Sequence, residues 1–354
     1  IIMYMCKGIN VLSLFDGISC GQVALERANI KVNKYFASEI DKTAIKITQE
    51  NYPNTIQLGD VRNIDVSKLP EIDLIIGGSP CTNLSLEGKM DGLIANGLEH
   101  YKFLKKSNND FGNNQSYLFW EYIRILNEVK PKYFLLENVK PKKDFINIIS
   151  SVIGVEPIEI DSSDFSSQTR KRLYWTNIEV DDYKTKEISI KDILGEGCEE
   201  NSVEKILSNF EKENCDIKDN ILTVKINNRK PLIVDLNDKA PYSFCESRSE
   251  YGKMMRRKIR KETGRDSTPR NSMSKIIKKR KLDKFNCVLT GFNKLDYFLD
   301  NNCCYRTYTK DELHKLQTLP SKYIPDEYTL RTVKRMIGNG WTVDVIAHIF
   351  KNIK

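Results

Sequence analysis

Short apolar runs alternate with longer segments of helical period through the first 180 or so residues. The runs INVLSLF (Ile9 to Phe15), KYFASE (Lys34 to Glu39), TIQLG (Thr55 to Gly59), DLIIG (Asp73 to Gly77), YFLLE (Tyr133 to Glu137), VEPIEI (Val155 to Ile160) and KRLYWTNI (Lys171 to Ile178) have the length and apolar content of strands. Between them CGQVALERAN, KTAIKITQENY and SYLFWEYIRILNEV repeat apolar residues at intervals of three and four, as helices with one buried face do. Strand, helix, strand in repetition predicts an α/β domain whose mostly parallel sheet is covered on both faces.

From Glu179 to about Pro325 the pattern weakens and charge rises, with the loop-rich TGRDSTPRNS at its centre. The last thirty residues regain helical period in LRTVKRM and WTVDVIAHIF, on either side of the turn IGNG. The expected organisation is a main domain over 1–178, a smaller second domain over 179–325, and C-terminal helices over 326–354 that return to the first. No internal repeat and no low-complexity tract interrupts it.

Composition narrows the class. The chain has 354 residues, 40% hydrophobic and 29% charged, as an ordinary globular protein does. It has no apolar run long enough to span a bilayer and no secretory leader at its start, so an intracellular protein without a membrane anchor is expected. Nine irregularly spaced cysteines fit reduced thiols rather than a disulfide framework, and Cys303–Cys304 lacks the second pair that a zinc site needs. No metal is expected. The charge is uneven: Arg248 to Lys281 holds fourteen Lys/Arg against three Asp/Glu, a local balance of +11 in a chain whose net charge is +8. One segment therefore supplies all the excess positive charge, as a nucleic-acid-binding surface or a solvated basic loop would.

Ligands of open parallel sheets bind beyond the carboxyl ends of the strands. After the first strand comes FDGISCG, with Asp16, Gly17, Ser19 and Gly21 in a tight turn. Glu39 ends the second strand, eighteen positions past Gly21. A glycine turn followed by such a carboxylate suits a nucleoside-bearing cofactor, with the acid taking ribose hydroxyls. The turn lacks the G-x-G-x-x-G phosphate fingerprint, so S-adenosylmethionine fits better than NAD. An ordinary strand-to-helix turn is the alternative. Asp60, after the third strand, adds a carboxylate suited to an adenine amino group.

Past the fourth strand, GGSPCTNLS presents Cys81 on the ligand side. A thiolate adds readily to an electron-poor ring carbon, although a lone cysteine is more often a packing residue. Glu137 ends the next strand, where burial is expected to raise its pKa and let it hold a proton; satisfaction by backbone donors or an arginine is the alternative. In SSQTRKRLYW, alternation places Gln168, Arg170 and Arg172 on one face of a starting strand, aimed at phosphates or ring carbonyls, or else at ion pairs within the fold.

In this order the segments resemble the DNA cytosine C5 methyltransferases. SLFDGISCG is similar to the family's first cofactor motif, GGSPCTNLS to its proline–cysteine nucleophile motif, LENV to its glutamate–asparagine–valine motif and QTRKR to its Q-x-R-x-R motif. RTYTKDELHKLQTLPSKY resembles the ninth motif and IGNGWTV the tenth, which closes the cofactor pocket. The chain departs from many members in Thr82 after Cys81, in a long charged loop from Cys81 to Gln115, and in Gly340–Trp341 where Ser-Val is common.

The resemblance implies a Rossmann-like S-adenosylmethionine-dependent domain and a target recognition domain. It implies that Cys81 attacks C6 of a flipped-out cytosine, that Glu137 acts at ring N3, that Arg170 helps to hold the base, and that C5 takes the methyl group. The implied cofactor pocket comprises Phe15, Asp16, Gly17, Ser19, Gly21, Glu39, Ile40, Asp60, Val61, Ser79, Pro80, Leu118, Asn339, Gly340 and Trp341. The implied contacts to double-stranded DNA are Ser85, Asn138, Gln168, Arg172, Arg256, Arg257, Arg265, Arg270, Lys279 and Arg280. A monomer in a bacterial cytoplasm, host- or phage-encoded, completes the expectation. An RNA methyltransferase of the same fold, a catalytically silent DNA-binding homologue and a nucleotide-dependent oxidoreductase are the rival readings.

Overall fold

The computed structural model describes residues 8–80, 97–107, 115–195, 215–219, 221–224, 232–235, 242–248, 250–263, 275–281, 283–290, 298–299 and 305–354. The chain divides into two compact units: Ile1–Ile188, Cys287–Thr290 and Leu313–Lys354 form the first, and Ser189–Asn286 with Gly291–Glu312 form the second.

The first unit is built on seven strands: β1 (Ile9–Leu14), β2 (Val32–Ser38), β3 (Ile56–Gln57), β4 (Leu74–Gly78), β5 (Tyr133–Asn138), β6 (Ile158–Asp161) and β7 (Lys171–Thr176). Their order in the sheet is β3-β2-β1-β4-β5-β7-β6. The first five are parallel to their neighbours; β7 runs antiparallel to both β5 and β6. The mostly parallel α/β sheet expected from the alternation is therefore present. Strand order reverses between β1 and β4, which opens a crevice beyond their carboxyl ends. Because β7 is antiparallel, its first residues lie on the same rim as the last residues of β5.

Helices α1 (Cys20–Arg27), α2 (Lys42–Asn51), α3 (Leu98–Lys106), α4 (Phe119–Val129) and α5 (Lys143–Ile153) accompany the sheet. In α4 the period of three and four carries Phe119, Trp120, Tyr122, Ile123 and Ile125 into a core with Leu12, Leu14, Ile75, Leu136 and Trp175. Glu121 is buried on the same helix because its carboxylate is met by the Tyr101 hydroxyl at 2.6 Å, the Arg124 Nε at 2.7 Å and the Lys105 ammonium. An unpaired charge there would not be tolerated. The C-terminal helices Leu330–Asn339 and Val343–Phe350 belong to this unit. Val343–Phe350 packs on α1, with Val345, Ile346, Ile349 and Phe350 fully buried. Asp344 ties this packing down through Arg27 at 2.6 Å and Lys186 at 2.8 Å.

The second unit is antiparallel. Strands Cys215–Lys218, Ile221–Val224 and Leu232–Asp235 form one sheet, and Tyr242–Arg248, Lys275–Lys281, Phe298–Leu299 and Tyr305–Arg306 another. Helix Glu250–Thr263, with six Lys/Arg from Lys253 to Lys261, follows strand Tyr242–Arg248. Among the described residues no helix is long and apolar enough to cross a membrane.

Candidate active site

Two clusters of polar side chains lie on the carboxyl rim of the sheet. The first is at the ends of β1 and β2. The chain leaves β1 through a turn in which Phe15, Gly17 and Ser19 all have positive φ, at 58°, 59° and 57°. Two non-glycine residues in the left-handed region are costly, and such strain collects at functional sites. A Cβ added to Gly17 would touch nothing within 4 Å, so its backbone is open to an approaching ligand. Glu39 Oε2 accepts the Gly17 N–H at 2.8 Å, and Oε1 accepts those of Ile40 and Asp41 at 2.7 and 2.8 Å. The glycine turn and the end of β2 are thus joined, as their spacing suggested. Beside them Ile40 is 68% exposed, an apolar face with nothing to cover it.

Asp16 looks inwards instead. Its carboxylate accepts from the Tyr35 hydroxyl at 2.8 Å and from the Ser19 hydroxyl. Loss of hydration pushes its pKa up to about 6, against the opposing hydrogen bonds from Ser13, Ser19 and Tyr35. Burial likewise pushes the Cys20 thiol up to about 12, so this cysteine is a packing residue. Gly21 lies in the first turn of α1 against Ile76 and Tyr35. Asp60 caps the turn Val61–Asn63 and pairs with Arg62, whose guanidinium holds the carboxyl below its usual range. Val61 is buried, and Leu118, half-buried, packs against the core at the start of α4.

The second cluster is at the ends of β4, β5 and β7. Gly78 lies opposite Glu137 in the parallel ladder. Glu137 is only 8% exposed, and each carboxylate oxygen has its own donor: Arg172 Nε at 2.9 Å from Oε1, and Trp341 Nε1 at 3.1 Å from Oε2. Satisfaction by an arginine, the alternative left open for this glutamate, is what the geometry contains. Asn138 is buried and donates to the Ser79 hydroxyl at 3.1 Å, which fastens the exit of β4 to that of β5. Pro80 follows, half-buried. Cys81, one peptide bond beyond Pro80, and Ser85 lie outside the described residues, as do Arg265 and Arg270 in the second unit.

The three side chains of QTRKR do not share one face. Regular strand begins only at Lys171, so alternation does not govern Gln168 and Arg170. Gln168 is fully buried: its amide nitrogen donates to Leu316 O at 3.0 Å and its oxygen accepts Val288 N–H at 2.7 Å. Arg170 is also buried and donates to the carbonyls of Val288, Gly338 and Gly340 at 3.3, 3.2 and 2.9 Å. Arg170, expected at the base, is engaged by interior carbonyls, and Arg172, expected at DNA, is the second residue of β7 and meets Glu137. Arg172 Nη2 also lies 3.9 Å from the Cys287 sulfur.

The turn Asn339–Trp341 sits between the two clusters. Asn339 is exposed and Gly340 is buried against Cys20. Gln317, not singled out in the sequence although it lies within RTYTKDELHKLQTLPSKY, donates to Ile337 O at 2.9 Å and Gly340 O at 3.3 Å. Arg256 is half-buried and Arg257 exposed on Glu250–Thr263; Lys279 and Arg280 lie in strand Lys275–Lys281, paired with Phe244 and Ser243. Among the described residues no group of three or more His, Cys, Asp or Glu is placed to hold a metal ion.

The chain is 33% identical over 206 residues, 53% of its length, to the orphan methyltransferase M.SPRI of Bacillus phage SPR, and 29% identical over 193 residues, 49% of its length, to the type II methyltransferase M.NlaIV of Neisseria lactamica. These matches span 43% and 41% of the two relatives, less than half of either. The fold is shared with the Entamoeba histolytica methyltransferase EhMeth at a TM-score of 0.56 and 17% identity, covering 98% of this chain and 99% of the other. It is shared as well with a DNA modification methyltransferase encoded within an Escherichia coli prophage, at a TM-score of 0.53 and 18% identity over 98% of both chains. The family model for C-5 cytosine-specific DNA methylases matches residues 9–354, so the chain belongs to that family.

Proposed function

We propose that this protein transfers a methyl group from S-adenosyl-L-methionine to C5 of a cytosine in double-stranded DNA. The observation that carries the proposal is the buried Glu137, held by Arg172 and Trp341 on the strand next to the one that leads to Cys81. The first cluster fits the methyl donor: the open Gly17 backbone, the Glu39 carboxylate hydrogen-bonded to that turn, and the exposed Ile40 side chain suit a nucleoside without a pyrophosphate. When bound there, S-adenosylmethionine supplies an electrophilic methyl group.

Cys81 is the nucleophile in this reading. Its sulfur adds to C6, the C5–C6 π electrons move toward C5 and the N3 side of the ring, and Glu137 acts at N3. C5 then takes the methyl group, S-adenosylhomocysteine being the group left behind; the C5 proton passes to solvent, its bond electrons re-form the C5–C6 double bond, and the sulfur–C6 pair returns to Cys81 as thiolate. A base stacked in a duplex cannot reach the rim, so the cytosine swings out. Arg172 orients Glu137, while Arg170 and Gln168 hold the framework behind it. The basic segment of the second unit, including Arg256, Arg257, Lys279 and Arg280, supplies phosphate contacts whose strength falls with salt.

Bisulfite sequencing of plasmid DNA from cells expressing the chain tests this. Protected cytosines at one recurring sequence are expected. Unprotected DNA, with labelled methyl entering tRNA instead, would favour an RNA substrate.

A further inference from the structure

We propose that Trp341 is a positioning residue for Glu137, so that the turn beside the donor pocket also aims the acid that acts on the base; this rests on the methyl-transfer reading above. The terminal torsion of a glutamate is broad, and one donor leaves the carboxylate free to swing about that contact. Here the two oxygens are held from two segments far apart in the chain, Oε1 by Arg172 and Oε2 by the Trp341 indole. Two donors fix the carboxylate plane.

The indole is itself firmly backed. The carbonyl just before it, on Gly340, receives Arg170 Nη2 at 2.9 Å and Gln317 Nε2 at 3.3 Å. The residue just after it, Thr342, donates to Gln317 Oε1 at 2.6 Å and shares a hydrogen bond with Ser162 Oγ at 2.8 Å. Gly340 rests on Cys20, the first residue of α1, where a Cβ would come within 3.1 Å of the sulfur. Gly78 completes the arrangement. A Cβ there would lie 3.0 Å from Glu137 Oε2 and 3.2 Å from Trp341 Nε1, so a side chain at this position would press on both ends of the hydrogen bond. A shift of the turn at 339–341 therefore moves a donor of Glu137, which links the donor pocket to the acid through one N–H group.

The test separates this role from simple contact with the methyl donor. Addition of Cys81 to C6 makes the C5 hydrogen exchangeable with solvent even when no donor is present, so tritium release from C5-labelled cytosine in DNA reads the addition step, in which Glu137 acts, without any contribution from donor binding. Trp341→Phe keeps an aromatic face and removes the N–H; it should slow donor-free release about tenfold, the effect of losing one hydrogen bond to a charged group, whatever it does to donor affinity, because that assay contains no donor. Gly78→Ala, which leaves the tryptophan in place and crowds the bond, should slow release in the same direction and stands in if Trp341→Phe does not fold. Wild-type release from both variants would overturn the proposal, as would a loss confined to donor affinity. A wild-type protein silent in both release and methyl transfer would instead count against the methyl-transfer reading.

Discussion

Asp16 and Glu137 end neighbouring parts of one rim, yet the protein treats the two carboxylates in opposite ways. At the β1–β2 cluster Asp16 is surrounded by neutral hydroxyls, and loss of hydration carries its pKa up to about 6. At the β5–β7 cluster Glu137 is met by a guanidinium and an indole. The difference follows from topology. The parallel neighbour β2 brings the Tyr35 hydroxyl and, at its end, the Glu39 carboxylate, neither of them a cation, whereas antiparallel β7 starts where β5 stops and delivers Arg172 to its tip. The antiparallel strand supplies one donor to the Glu137 carboxylate and the turn at Trp341 supplies the other. The first arrangement suits shaping of a pocket, the second suits chemistry.

The largest effects should come from the chemical side of this contrast. Cys81→Ser is expected to lose nearly all methyl transfer while retaining donor binding. Glu137→Gln should lose about 10²–10⁴ in single-turnover rate, the range for removing a positioned acid or base; a loss below tenfold would move the chemistry elsewhere.

The two arginines of QTRKR sharpen the contrast. Arg172→Ala should depress kcat steeply even at temperatures where the variant is fully folded, because its fixed partner is Glu137. Arg170→Ala should act mainly on stability, since it removes a donor from three interior carbonyls, of which Gly340 O keeps Gln317, with a cost of about 1–3 kcal/mol for each left unsatisfied. Equal losses of kcat in the two folded variants would erase the distinction drawn here.

The smallest effect concerns Asp16. Its folded pKa is raised, so the folded state binds the proton more tightly than the unfolded chain does. The stability that this supplies is fully present below pH 3.8 and is lost as pH rises through about 6. Asp16→Asn should remove that component, on the order of 1–3 kcal/mol. Chemical denaturation of both proteins at several pH values reads it as a difference that changes between about pH 4 and 6 and is constant outside that window. A flat difference would mean that the carboxyl ionises normally.

Much of this rim was legible in the sequence, for a physical reason. Parallel strands buried on both faces are continuous apolar runs, so the point where LIIGG or YFLLEN turns polar marks the carboxyl end of a strand, and Glu137, Gly17 and Glu39 are found there by inspection. Pairing was not legible. Nothing local in KRLYWTNI says that it runs antiparallel to YFLLEN, and without that the roles of Arg170 and Arg172 are easily exchanged. Nor does IGNGWTV state that its indole crosses some two hundred residues of chain to reach a glutamate. The second unit was the least legible: its short antiparallel strands carry many charges, and the period that a buried face would impose is weak.

The central claim is that a cytosine is activated at the β4–β5 rim, and covalent trapping tests it most directly. Duplex DNA carrying 5-fluorocytosine in the target sequence, incubated with the protein and S-adenosylmethionine, cannot release the fluorine as it would a proton, so a sulfur–C6 bond should persist. The account predicts a denaturant-resistant complex whose DNA-bearing peptide contains Cys81 and whose yield collapses with Glu137→Gln. Attachment to any other residue, or methylation of ordinary duplex DNA with no trapped complex on its fluorinated counterpart, would contradict it.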